Sequence, residues 1–156
     1  MTKKLIAVAL SLLATGSVAS AQDVSIEKGD RIAKIGGCHD CHSPGYEMEG
    51  VLDPATTLMG SPVGFQGPWG TTYPANLRLL ASKNTEDSFV EYMKTLKTRP
   101  PMPWFNVHVL DDSELRSLYQ YIVSLGAPGD PVPAFVPPGE TPKTPYIVMV
   151  PVMPAG

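Results

Sequence analysis

Both cysteines of this 156-residue chain and two of its three histidines fall within five consecutive residues, Cys38-His39-Asp40-Cys41-His42. The spacing Cys-x-x-Cys-His is the pattern of covalent c-type haem attachment. Two thiols three positions apart on one turn can add to the two vinyl groups on one porphyrin edge, forming thioethers. The adjoining His42 then offers a neutral imidazole nitrogen to the iron. Other uses of the same residues fit less well. A redox dithiol of the thioredoxin type belongs at a strand-helix junction of a sheet protein, and no alternating run here announces a sheet. A zinc site needs four ligands, and beyond the two thiols only His39, His42 and the distant His108 supply nitrogen. A disulfide across two residues would be strained and would close almost no loop.

A haem iron held by His42 takes its second protein ligand from elsewhere in the chain. Met48, Met59, Met93, Met102, Met149, Met153, His39 and His108 are the candidates. Met93 falls on the inner face of a helix and reads as core, and Met149 and Met153 lie near the C-terminus. Met102 stands in Arg99-Pro100-Pro101-Met102-Pro103-Trp104. Prolines on both sides restrict the backbone and hold the thioether in one place, which suits a metal ligand.

Three amphipathic helices are available to position these groups. The first is predicted over Ile26 to Ile35, capped by Ser25, with Ile26, Ile32 and Ala33 inward and Gly36-Gly37 as its stop. A second runs from Thr85 to Lys97 with Phe89, Met93 and Leu96 inward. The third begins at a capping box, Asp111 with Glu114, and ends at Gly126; Leu115, Leu118, Tyr119, Ile122 and Leu125 share its apolar face. The connection from Ser43 to Asn84 is rich in Gly and Pro, and a loop of that length needs something large to fold around. A buried cofactor would supply it.

The ends of the chain differ from this centre. Residues 1–21 carry Lys3 and Lys4, an apolar run from Leu5 to Leu13, and small residues up to Ala21, the layout of a secretory signal peptide cleaved near Ala21. The apolar run is shorter than a membrane span, and none is expected in the mature chain. Residues 22–126 form the expected domain. Residues 127–156 hold nine of the seventeen prolines and read as an extended tail, with Phe135, Tyr146, Ile147 and Val148 as possible anchors on the core. The whole chain has a net charge of −3. Without Lys3 and Lys4, ten basic face fifteen acidic side chains, a net of −5. That balance gives no footprint for nucleic acid and favours a partner with a basic surface.

Gly-Cys-His-Asp-Cys-His, then Pro-Pro-Met-Pro, a short loop and Leu110-Asp111-Asp112-Ser113-Glu114-Leu115 with Leu118-Tyr119 and Tyr121-Ile122, resembles the class I mono-haem cytochromes c across residues 26–126. The segment Gly67 to Asn76 is similar to a loop in cytochromes associated with periplasmic dehydrogenases, although Leu77-Arg78-Leu79 replaces the usual Thr-Pro-Asp. The resemblance implies an all-α cytochrome c fold, with about three to five helices around one covalent haem c. Cys38 and Cys41 would attach it, with His42 the proximal and Met102 the distal iron ligand. It implies that the first and last helices cross closely, with Gly29 against Tyr119. A proline carbonyl, that of Pro44 or more fittingly Pro54, would accept the second ring N–H of His42. Trp69, Tyr73, Asn76 and Arg78 become candidates for the haem propionates.

The function so implied is periplasmic electron transfer between ferric and ferrous states, with a fairly positive potential. The partners would be redox proteins, a dehydrogenase or a terminal oxidase, and the chain itself no enzyme. The alternative is a sensor or peroxidase-like protein with an exchangeable sixth ligand. The peroxidase-like form would need an open iron position and a distal acid-base group, for which only His108 is available, and the sensor an exchangeable Met102.

Overall fold

The computed structural model describes residues 23–154, so the segment read as a signal peptide lies outside the described residues. The chain is mostly helical with one small sheet. Helix α1 (Ile26–Ile35) leads into α2 (Cys38–His42) and α3 (Tyr46–Glu49). Strands β1 (Gly64–Gly67) and β2 (Gly70–Thr72) form a hairpin. Then follow α4 (Leu77–Ser82), α5 (Glu86–Thr95), α6 (Trp104–Val107), α7 (Asp112–Ser124) and strand β3 (Tyr146–Val148).

The three helices expected from periodicity are present, and their caps explain their ends. Ser25 accepts from the Lys28 amide, and Thr85 and Asp111 each close a capping box, with Ser88 and Glu114 as the reciprocal partners. Each cap satisfies amides that the first helical turn leaves unpaired. Leu115, Leu118 and Ile122 of α7, Phe89, Val90 and Met93 of α5, and Ile32 and Ala33 of α1 form the core, joined by Leu58, Leu77 and Ala81. Ile26, expected inward, is 45% exposed. Arg116 of α7 reaches Glu86 at 2.9 Å and Asp87 at 2.7 Å, tying α7 to the first turn of α5.

Helices α1 and α7 make the most extensive helix contact. Gly29 permits it. A Cβ there would overlap the Ser117 carbonyl and stand 2.6 Å from Tyr121 Cβ. The aromatic residue at this crossing is therefore Tyr121, not Tyr119. Tyr119 is turned toward α5, its ring 5.3 Å from that of Phe89 and its hydroxyl donating to the Asn84 carbonyl at 3.0 Å. Polar contacts register the same crossing: the Ser25 amide donates to Ser117 Oγ at 3.2 Å, and Lys28 Nζ to Ser113 Oγ at 2.7 Å.

The sheet departs from the all-α expectation. Its order is β2-β1-β3, with β1 antiparallel to β2 and parallel to β3. The hairpin strands are three and four residues long, and Gly64, Gly67 and Gly70 interrupt any alternation, so no periodic signal marks them. The third strand comes from the proline-rich tail, which runs extended over the core surface.

Two outcomes follow. Gly→Ala inside a helix usually adds roughly 0.5–1 kcal/mol of stability. Gly29→Ala is expected to do the reverse and lose about 1–3 kcal/mol through overpacking at the crossing, read as a lower urea midpoint with unchanged slope. The Asp111 carboxyl is held below the usual range, first by the Ser113 hydroxyl and then by the Glu114 amide. A depressed folded-state value means that its stabilisation is complete above about pH 4 and fades as pH falls through the folded value. Asp111→Asn should therefore unfold more easily than the wild type at neutral pH, with the difference shrinking as the pH is lowered below the ordinary carboxylate range, measured by urea titration across that range.

Candidate functional site

The motif Cys38-His39-Asp40-Cys41-His42 forms the short helix α2, entered through Gly37 in the left-handed conformation at φ 68°. One turn of helix places both thiols and His42 on the wall of a single cleft. Leu77, Leu80, Met93, Leu96 and Leu118 make the apolar side of this cleft, and Phe65, Thr72 and Tyr73 close it from the hairpin. Met102 lines it as well, carried by the loop between α5 and α6. Residues separated by sixty positions are thus brought to one apolar space.

The state of His42 is fixed by a hydrogen bond. Its Nδ1 lies 2.7 Å from the Ala75 carbonyl oxygen, which can only accept, so the ring proton is on Nδ1. Nε2 keeps its lone pair. Burial pushes the His42 pKa down, against a smaller upward effect of the Ala75 carbonyl, so the ring is neutral at ordinary pH. A neutral imidazole with an unprotonated Nε2 and a carbonyl on the other nitrogen is the arrangement of a metal-ligating histidine. The acceptor is Ala75 rather than a proline. The Pro54 carbonyl instead accepts from Arg78 Nη2 at 2.8 Å, and Pro44 is exposed.

The thiols are held in their protonated form. Burial pushes Cys38 up to about 11, with Asp40 adding to the effect. Cys41 is raised by burial, then by Asp40 and Glu47. A dithiol oxidoreductase depends on the opposite shift, toward thiolate. Cys38 and Cys41 are free cysteines, and no group of three metal-binding side chains suited to zinc occurs among the described residues.

The remaining candidates separate by position. Met93 also lines the cleft but is 5% exposed within the helical core. Met48 and Met153 are more than four-fifths exposed, and Met59 packs on Gly129. His39 is fully buried, its Nδ1 2.9 Å from Ser43 Oγ, which also receives the Leu58 amide. His108 places Nε2 2.9 Å from the Leu96 carbonyl and is exposed. Of the four propionate candidates, only Tyr73 is on the cleft wall. Arg78 spends Nε on the Thr57 carbonyl and Nη2 on that of Pro54, and Asn76 caps α4 and donates to Pro128 and Asp130. Trp69 has a buried Nε1 without a partner among the described residues.

Besides Ala75, a hydroxyl on the cleft wall escaped the sequence reading. Thr72 lines the cleft, and its Oγ1 is buried without a hydrogen-bond partner among the described residues. An unpaired buried hydroxyl costs about 1–3 kcal/mol, so a water or the polar edge of a bound group is favoured at this atom. The thiols, the free Nε2 of His42, the Met102 thioether and this hydroxyl together fit a large, mainly apolar, metal-bearing group with a polar edge.

Comparisons with known proteins agree in part. The chain is similar to the gluconate 2-dehydrogenase cytochrome c subunit of Pantoea cypripedii, at 27% identity over 142 residues, covering 82% of this chain and 30% of the relative. The chain therefore spans under a third of that protein's length. No protein-family profile matches the chain, and no solved structure does.

In protein produced without any attached group, thiolate is scarce at neutral pH. Alkylation of Cys38 by iodoacetamide should be slow near pH 7 and rise about tenfold per pH unit toward about 11. A rate that levels off near pH 7, followed by peptide mass spectrometry, would favour a reactive dithiol instead.

Proposed function

We propose that this chain is a c-type cytochrome that carries electrons for a dehydrogenase. Its haem would be bound through Cys38 and Cys41, with His42 Nε2 and the Met102 thioether as iron ligands. The observation that carries the reading is the convergence of these four side chains on one apolar cleft, with the His42 proton fixed on Nδ1 by Ala75. The group would supply one-electron cycling between ferric and ferrous iron. The protein's own residues do the rest. Ala75 orients His42, the prolines around Met102 position the thioether, and Leu77, Leu80, Leu96 and Leu118 keep water from the cleft. Thr72 offers a hydrogen bond at its margin.

The dehydrogenase partner is suggested by the relative, which is named as a cytochrome c subunit of such an enzyme. The rim next to Cys41 suits docking of a basic surface: Asp40 and Glu47 are exposed and act on Cys41, and α3 also exposes Glu49 and Met48, the latter at 83%. Opposite charges steer association and lose strength with salt. The peroxidase-like alternative needs a distal acid-base group, and His108 is absent from the cleft wall. The N-terminal segment supports export to the periplasm, with residues 1–21 removed.

Two measurements test this. The ferric protein should show the weak long-wavelength absorption of His/Met ligation, and Met102→Ala should abolish it and give a high-spin spectrum. A wild-type spectrum that is already high-spin contradicts the electron-carrier reading. Electron exchange with a basic redox protein should slow several-fold as ionic strength rises from about 0.01 to 0.1 M, where the screening length falls from about 30 to 10 Å. Replacing Asp40, Glu47 and Glu49 together by neutral residues should remove most of that dependence, read by stopped-flow.

A further inference from the structure

The proline-rich tail contacts several of the loop and hairpin segments around the cleft. Its first stretch is bound by Asn76, whose Nδ2 donates to the carbonyls of Pro128 at 2.6 Å and Asp130 at 3.0 Å. Asn76 directly follows Ala75, the acceptor for His42. Val132 then packs over Gly60, whose amide donates to the His42 carbonyl at 2.8 Å. Val136 exchanges both backbone hydrogen bonds with Thr71, beside Thr72 of the cleft wall. Further on, Thr144 meets Tyr73 Oη at 2.8 Å, and β3 joins β1.

Phe135 is the part of this strap that reaches the Met102 loop. Its ring lies under the Arg99 guanidinium, 3.7 Å from Cζ to the ring centroid. Behind the ring is Gly70, where a Cβ would come within 3.0 Å of Phe135 Cε2 and Cζ. The phenyl group is thus seated on the hairpin and faces the cation. Arg99 stands three residues before Met102, with Pro100 and Pro101 between them. Two successive prolines leave little rotational freedom, so fixing Arg99 restricts where Met102 can lie. Among the described residues no carboxylate pairs with Arg99, and the phenyl face is the contact that holds it.

We propose that Phe135 is a positioning residue for the sixth iron ligand: by stacking on Arg99 it fastens the Met102 loop to the tail strap and keeps the thioether in the cleft. The proposal rests on the assignment of Met102 as that ligand. A stacked cation of this kind contributes an energy equivalent to roughly a two- to thirty-fold change in an equilibrium. Releasing it opens the loop more often by a factor in that range, without removing the ligand.

The test is the rate at which the ferrous, full-length haem-loaded protein binds carbon monoxide, which needs the Met102 position vacated. Phe135→Leu is expected to bind about two- to thirty-fold faster than the wild type, and Met102→Ala faster still. Phe135→Tyr, which keeps the ring face, should bind at the wild-type rate. A wild-type rate in Phe135→Leu, or an equal acceleration in Phe135→Tyr, overturns the proposal while leaving Met102 as ligand. Equal rates in wild type and Met102→Ala overturn the ligand assignment and the proposal together. Should Phe135→Leu lose haem content or helical signal, Arg99→Met removes the cation and leaves the ring seated, with the same expected and overturning results.

Discussion

The hydrogen bond between His42 Nδ1 and the Ala75 carbonyl is the constraint on which the site depends. It joins the cysteine motif to a segment thirty-three residues away and decides which nitrogen carries the proton. Without it the ring could present either nitrogen to the cleft, and burial alone would give a neutral but unoriented imidazole. Ala75 can serve because its neighbours are fixed. Asn76 caps α4, and the Leu77 amide donates to the Leu58 carbonyl at 2.9 Å. Arg78, largely buried, ties the loop before Leu58 through the carbonyls of Thr57 and Pro54. The long Gly- and Pro-rich connection is thus held in part by backbone acceptors and one buried cation.

The helical frame supplies what the loops cannot. The close crossing of α1 and α7 at Gly29 brings the start of α2 to the core, and α5 packs on α7 to bring Met93 and Leu96 to the opposite wall of the cleft. The loop that carries Met102 leaves from the end of α5 and returns through α6 to the capping box of α7. Its two ends are therefore anchored, and within it Arg99 stacks on Phe135 of the tail.

Much of this was legible in the sequence because the signals are local. Five consecutive residues define the motif, and the boxes at Thr85 and Asp111 mark two helix starts within one turn of chain. What was not legible depends on distant backbone. A carbonyl acceptor such as Ala75 leaves no trace in side-chain identity, so a proline seemed as suitable. The Tyr119 and Tyr121 positions differ by two residues on a broad apolar stripe, and only the rotation of α7 against both α1 and α5 assigns one to each neighbour. The sheet was invisible for another reason: its hairpin is short and glycine-broken, and its third strand arrives from about eighty residues later. The orphaned hydroxyl of Thr72 belongs to that same hairpin and shared its obscurity.

The most direct test of the central claim is the intact mass, under denaturing conditions, of the protein produced in a host that attaches haem c. Attachment through Cys38 and Cys41 predicts a species heavier than its polypeptide by one haem and unchanged by extraction with acidic acetone. A species with the bare polypeptide mass, its colour lost to the solvent, would contradict covalent haem binding at this site.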